Sequence, residues 1–257
     1  MIVLKTEPEI ARMREAGKIL AALLTELAGM VQPGITTRDL EEVADRRIRE
    51  AGAVATFKGQ PGMVAYAPPY PAATCISVNE QVIHGIPSDR VLKDGDLVSI
   101  DCGVTLRGWI ADAAISVIAG HARADVVRLL DTTRRSLMAA IEVATVGRRL
   151  GDVSFAVQQQ AMAEGFGVVR DFCGHGVGKT LHEDPPIPNY GTPATGPVLR
   201  SGMTLAIEPM ITLGSPQVKV KRDGWTVVTS DGKPAAHFEH TILVTDGAAE
   251  ILTPWVL

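Results

Sequence analysis

LKDGDLVSID (residues 92–101) and LRSGMTLAIE (residues 199–208) follow one pattern: leucine, base, polar residue, glycine, then a five-residue apolar-rich strand closed by a carboxylate. The two copies start 107 residues apart. Working outward, Gly34 and Gly147 each lie between two helical stretches, and the second helix of each pair closes 18 residues further on, at Gly52 and Gly165. A third correspondence pairs Asp112-Ala-Ala-Ile-Ser-Val with Glu239-His-Thr-Ile-Leu-Val, where a carboxylate precedes an alternating Ile-x-Val strand. Similarity repeated in the same order marks a duplicated unit. The chain therefore reads as one α+β domain of two pseudo-symmetric halves, roughly 1–118 and 119–257, whose strands form a central sheet with helices covering one side.

Local signals fit this frame. Thr6 with Glu9 makes a capping box, and Leu20, Leu23, Leu24 and Leu27 supply the apolar stripe of a first helix that stops at Pro33-Gly34. Thr37 with Asp39, Glu41 and Glu42 opens a second helix, and residues 123–146 and 150–164 repeat the shape. The proline-rich stretch from Gly59 to Pro71 reads as a long ordered loop, a common location for function.

Composition excludes several classes. The 257 residues are 46% hydrophobic and 21% charged with a net charge of −4, so there is no basic footprint for nucleic acid and no polybasic membrane patch. No apolar run approaches a membrane span, and the start MIVLKTEPEI lacks a signal-peptide pattern. Cys75, Cys102 and Cys173 are too few and too dispersed for a disulfide framework. The expectation is a cytoplasmic protein.

The repeat places Asp101 and Glu208 at strand ends and Asp112 and Glu239 at strand starts. Each follows or adjoins apolar residues, and halves that meet face to face bring the four carboxylates together. Burying several ionised carboxylates is prohibitive without compensation. No Lys or Arg occupies the matching positions, which leaves divalent metal, and two such ions neutralise four carboxylates. His175, flanked by glycine in Cys173-Gly174-His175-Gly176-Val177-Gly178, is a candidate imidazole ligand. A phosphate loop is rejected for the same run, because no Lys-Ser/Thr helix follows and Glu183 and Asp184 come next.

With these residues in place the sequence resembles the type I methionine aminopeptidases. The resemblance lies in Asn79-Glu80-Gln81-Val82-Ile83-His84-Gly85-Ile86-Pro87, in Ile100-Asp101 with Asp112, in the Cys173–Gly178 run with His182, in Ile207-Glu208-Pro209-Met210 and in Phe238-Glu239-His240-Thr241. It implies the pita-bread fold, with a mainly antiparallel central sheet. It also implies a dinuclear site in which Asp112 and Glu239 bridge two divalent ions, Asp101 chelates one, and His175 with Glu208 completes the other. Such donors suit Mn, Fe, Co or Zn alike. Glu208 would also relay a proton. His84 and His182 would contact the substrate amide as catalytic, non-ligand histidines.

The resemblance implies further that Cys75, Trp225 and Tyr70 line an apolar pocket for a methionine side chain, with Tyr66 as the alternative tyrosine and Leu181 in place of an aromatic. His237 and His240, beside Glu239 on a strand, are expected to point away from it. His121 reads as a loop or helix-entry residue. The implied activity is removal of initiator methionine from nascent polypeptides with a small second residue, by a monomer whose partners are nascent N-termini and, as a candidate, the ribosome. An Xaa-Pro-type aminopeptidase of the same fold is the main rival, and its relatives carry an extra N-terminal domain for which a helix starting by residue 7 leaves no room. A non-catalytic pita-bread binding protein would show a broken ligand set.

Overall fold

The computed structural model describes residues 1–62, 64 and 66–257. Met63 and Ala65, within the loop expected over Gly59–Pro71, lie outside the described residues. The first half builds α1 (Glu7–Met30), α2 (Thr37–Glu50), β1 (Val54–Ala55), β2 (Thr74–Val78), β3 (Gln81–Ile83), β4 (Leu97–Leu106) and β5 (Trp109–Ile118). The second builds α3 (Ala124–Val143), α4 (Leu150–Ala163), β6 (Gly167–Val168), β7 (Cys173–Gly176), β8 (Glu183–Pro188), β9 (Thr204–Ile207) and β10 (Met210–Thr212). It closes with β11 (Val218–Val220), β12 (Val227–Thr229), β13 (Ala235–His237), β14 (Glu239–Leu243) and β15 (Glu250–Ile251).

Thr6 and Glu9 cap α1 as expected, the Thr6 N–H donating to the Glu9 carboxylate at 2.9 Å. The second helix is capped one residue earlier than expected. Thr36, not Thr37, accepts the Asp39 N–H at 3.1 Å, because the Thr37 hydroxyl is turned inward and donates to the Ser88 carbonyl at 2.9 Å. The stripe Leu20, Leu24 and Leu27 is inaccessible to solvent and packs with Leu40, Ile100, Ile115, Leu137, Leu205 and Ile242 into one core that joins both halves. Each such side chain contributes about 1.5–3 kcal/mol by leaving water.

The main sheet runs β1-β4-β5-β14-β9-β7-β8, with β2 also on β4 and β15 on β14, and its strand pairs are antiparallel. The duplicated sequence is visible in this order: β4 and β9 carry the two copies of the leucine-base-glycine pattern, and their partners β5 and β14 meet between them. α1 packs on β4 and β5, while α3 and α4 pack on one another. One expectation needs correction. Asp101 does not end a strand and Asp112 does not start one; both lie inside the ten-residue β4 and β5. The strands run on because Arg107 and Gly108, with φ of 50° and 79°, close them in a two-residue turn that matches sheet twist.

Candidate metal centre

Five side chains from five strands or strand ends converge beside the seam between β5 and β14. Asp101 lies on β4 opposite Ala114, Asp112 on β5, and Glu239 heads β14, itself opposite Ala114. Glu208 follows β9 directly, and His175 on β7 faces Ala206 across the ladder. The two glycines flanking His175 are needed for close approach. A Cβ on Gly174 would sit 2.3 Å from the Ala206 carbonyl oxygen, and one on Gly176 would sit 2.2 Å from that of Asp184.

Donor atoms of Asp112, His175 and Glu239 all lie within 4.8 Å of one another. His175 Nε2 is 3.8 Å from Asp112 Oδ2 and 3.7 Å from Glu208 Oε1. The imidazole tautomer follows from its other nitrogen. Nδ1 is 2.9 Å from the Gly176 carbonyl, which can only accept, so Nδ1 carries the proton and Nε2 presents a lone pair to the cluster. Asp101 Oδ1, Asp112 Oδ1 and Glu239 Oε1 are buried without any hydrogen-bond partner.

The electrostatics are those of an acid cluster lacking its counter-charge. Burial, then mutual repulsion, drives the Asp101, Glu208 and Glu239 carboxyls well above the usual range, and burial pushes Asp112 up to about 7. His175 is lowered to about 4, chiefly by burial. Orphaned carboxylate oxygens facing a lone-pair nitrogen fit a divalent cation and fit little else, since they offer acceptors with no donor among them.

Hydroxyls hold the two ligand strands. Thr241 Oγ1 accepts the Asp112 N–H at 3.0 Å and donates to the Asp112 carbonyl at 2.7 Å. Ser116 Oγ does the same for His237, at 3.0 and 2.7 Å. Asn189 Nδ2 donates to the Glu208 carbonyl at 3.0 Å.

A cavity of about 300 Å³ opens from the cluster, walled by Phe57, Tyr70, Cys75, His84, Phe172, Leu181, His182 and Trp225. Tyr70 meets Trp225 edge-on with ring centroids 4.9 Å apart, and its hydroxyl lies 3.0 Å from the Thr74 carbonyl. Trp225 Nε1 donates to the Pro68 carbonyl at 2.8 Å. The polar tips of Tyr70 and Trp225 thus have partners, and His84 Nδ1 is buried in the same wall without one. Tyr66 is 69% exposed, so Tyr70 is the tyrosine of the cavity wall. Leu181 and Cys75 are buried in the same wall. His84, at φ 57°, lies edge-on to Phe172 at 5.9 Å and Trp225 at 6.2 Å, and burial lowers it to about 4. The His182 ring lies 4.5 Å from that of His175.

His240 points away from Glu239 as expected, stacking on Trp255 at 4.2 Å. His237 does not. Its Nε2 lies 3.6 Å from Glu208 Oε2, because residues two apart on extended chain share a face and His237 is two before Glu239. The sequence signal was this i−2 spacing from Glu239. Phe57 and Phe172 were also missed, since nothing in their neighbourhoods marks a cavity wall.

A buried acid quartet with one metal-ready imidazole, opening into an apolar cavity, is the centre of a metal-dependent hydrolase. The model of metallopeptidase family M24 matches residues 11–246. The chain is 51% identical to the methionine aminopeptidase of Clostridium perfringens over 98% of this chain and 99% of the relative. It is 48% identical to methionine aminopeptidase 1 of Bacillus subtilis at the same coverages. The crystal structure of methionine aminopeptidase from Thermotoga maritima superposes with a TM-score of 0.94 at 48% identity, covering 98% of this chain and 99% of that one. The chain belongs to metallopeptidase family M24, on its methionine aminopeptidase branch.

Proposed function

We propose that this protein removes the initiator methionine from nascent polypeptides whose second residue is small, using two divalent ions. The observation that carries the reading is the convergence of Asp101, Asp112, His175, Glu208 and Glu239 in the wall of one cavity of about 300 Å³. Four carboxylates call for two dipositive ions, and the mutual closeness of Asp112, His175 and Glu239 supports shared ligands. In this reading the five side chains would hold the ions, Asp112 and Glu239 as ligands to both, Asp101 to one, and His175 with Glu208 to the other. Bound ions of this kind would supply Lewis-acid polarisation of the scissile carbonyl and activation of the attacking water.

The remaining steps fall to the chain's own residues. Tyr70, Cys75, Leu181 and Trp225 receive the methionine side chain and exclude water from it. His84 and His182 hold the scissile amide by hydrogen bonds, stabilising charge on its oxygen and on the departing nitrogen, to which Glu208 delivers the proton. Burial lowers both imidazoles, His84 to about 4, so each acts as an uncharged N–H donor. Glu208 moves the proton, because it has no bridging duty. We take the His175 and His182 rings, 4.5 Å apart beside the cluster, as the restriction that favours a small second residue.

The donor set accepts Mn, Fe, Co or Zn. We take the chain as one domain of two pseudo-repeats that works as a monomer on nascent N-termini in the cytoplasm, with the ribosome as the place of encounter. Among the described residues no helix is long and apolar enough to cross a membrane. Peptide cleavage tests the activity: metal-dependent release of methionine from Met-Ala-Ser supports it, and cleavage of Ala-Pro-Ser with Met-Ala-Ser intact would favour the Xaa-Pro reading.

A further inference from the structure

Glu208 stands between two imidazoles. Its Oε1 is 3.7 Å from His175 Nε2, and its Oε2 is 3.6 Å from His237 Nε2. The two nitrogens differ in what they offer. His175 Nε2 bears a lone pair, because Nδ1 spends its proton on the Gly176 carbonyl. His237 Nε2 is buried and without a hydrogen-bond partner, and its side chain is 2% exposed. The His237 backbone cannot drift. It pairs with Met210 on β10 along one edge and is clasped by Ser116 Oγ along the other, with Ser99 Oγ 2.7 Å behind that hydroxyl.

From this geometry we propose that His237 is a positioning residue for the metal centre. It carries its proton on Nε2 and donates to Glu208 Oε2, which commits Oε1 to the metal alongside His175. The inference rests on the metal-centre reading above. A donor behind a ligating carboxylate fixes its orientation and its denticity, and loss of such a partner typically weakens metal binding about 10–100-fold. Held at 3.6 Å, the pair closes to hydrogen-bond distance when the carboxylate is drawn into a fixed orientation. His237 acts through Glu208 and needs no contact with substrate.

The test is calorimetric titration of chelator-stripped full-length protein with Mn²⁺, for wild type, His237→Leu and His237→Gln, together with metal-free thermal melts. Leu removes the donor and fills the space; Gln restores an N–H donor at the place of Nε2. The expected result is a 10–100-fold loss of Mn²⁺ affinity in His237→Leu, recovery to within about threefold in His237→Gln, and no loss of metal-free melting temperature in either. A merely structural histidine would do the reverse, lowering the metal-free melt and leaving affinity alone. Unchanged affinity in His237→Leu, or equal weakness in His237→Gln, overturns the proposal. Failure of wild type to bind Mn²⁺ would overturn the metal-centre reading itself and this inference with it.

Discussion

Thr241 Oγ1 takes both backbone groups of Asp112, accepting its N–H at 3.0 Å and donating to its carbonyl at 2.7 Å. Ser116 repeats the clasp on His237 at the other end of the seam where Ala114 pairs with Glu239 and Ala113 with His240. At each end a hydroxyl from one strand stands in for a backbone pair. The two ligand-bearing strands are thereby spaced by side chains exactly where Asp112 and Glu239 must face each other.

Removing that hydroxyl therefore orphans two buried backbone groups. Thr241→Val is expected to lose about 2–5 kcal/mol of stability, and Thr241→Ser less than about 1 kcal/mol. Urea unfolding measures both. Equal stability of Val and wild type would show that the clasp contributes nothing.

Asp112 is ionised against its burial at high pH when no metal is bound. A carboxyl raised to about 7 in the fold and near 4 when unfolded adds stability fully present below about pH 4 and lost as pH rises through about 7. At about pH 8 in chelator, Asp112→Asn should melt higher than wild type, on the order of 2–4 kcal/mol more stable, while losing metal binding and turnover. Glu239→Ala should likewise lose both. A metal-free Asp112→Asn protein that melts below wild type contradicts the uncompensated-charge account.

Metal uptake should expel protons. The carboxyls of Asp112, Asp101, Glu208 and Glu239 are all raised, Asp112 to about 7, so a cation must displace protons from the cluster, while His175, lowered to about 4, is already neutral and gives none up. Apparent affinity therefore rises as pH increases through about 7. Calorimetry at about pH 6.5 in two buffers of different ionisation enthalpy should report net proton release on metal binding. Affinity constant between about pH 5.5 and 8 would be the opposing result.

His84 and His182 are assigned to the substrate amide and not to metal. Each change to Ala should lower kcat by about 10²–10⁴-fold with metal content held. Elemental analysis beside steady-state rates separates the two effects, and loss of metal in either variant would move that histidine into the ligand set.

Much of this was legible because duplication leaves a record in spacing. The leucine-base-glycine pattern marks β4 and β9, and the Ile-x-Val pair marks β5 and β14, so spacing alone groups the four carboxylates. Strand ends were less legible: the β4–β5 turn at Arg107-Gly108 depends on positive φ at an arginine, which composition does not announce. His237 departs from the expected placement because it stands two residues from Glu239, an even spacing that shares its face, whereas His240 at an odd spacing turns away. The cavity wall was only partly readable, since Phe57 and Phe172 reach it through loops whose paths no periodicity encodes.

The most direct test is a crystal structure of the Mn²⁺-loaded protein with anomalous data at the manganese edge. Two anomalous peaks are predicted, both within the side chains of Asp101, Asp112, His175, Glu208 and Glu239, with Asp112 and Glu239 touching each. No peak among these five residues, or peaks held by other groups, would contradict the account.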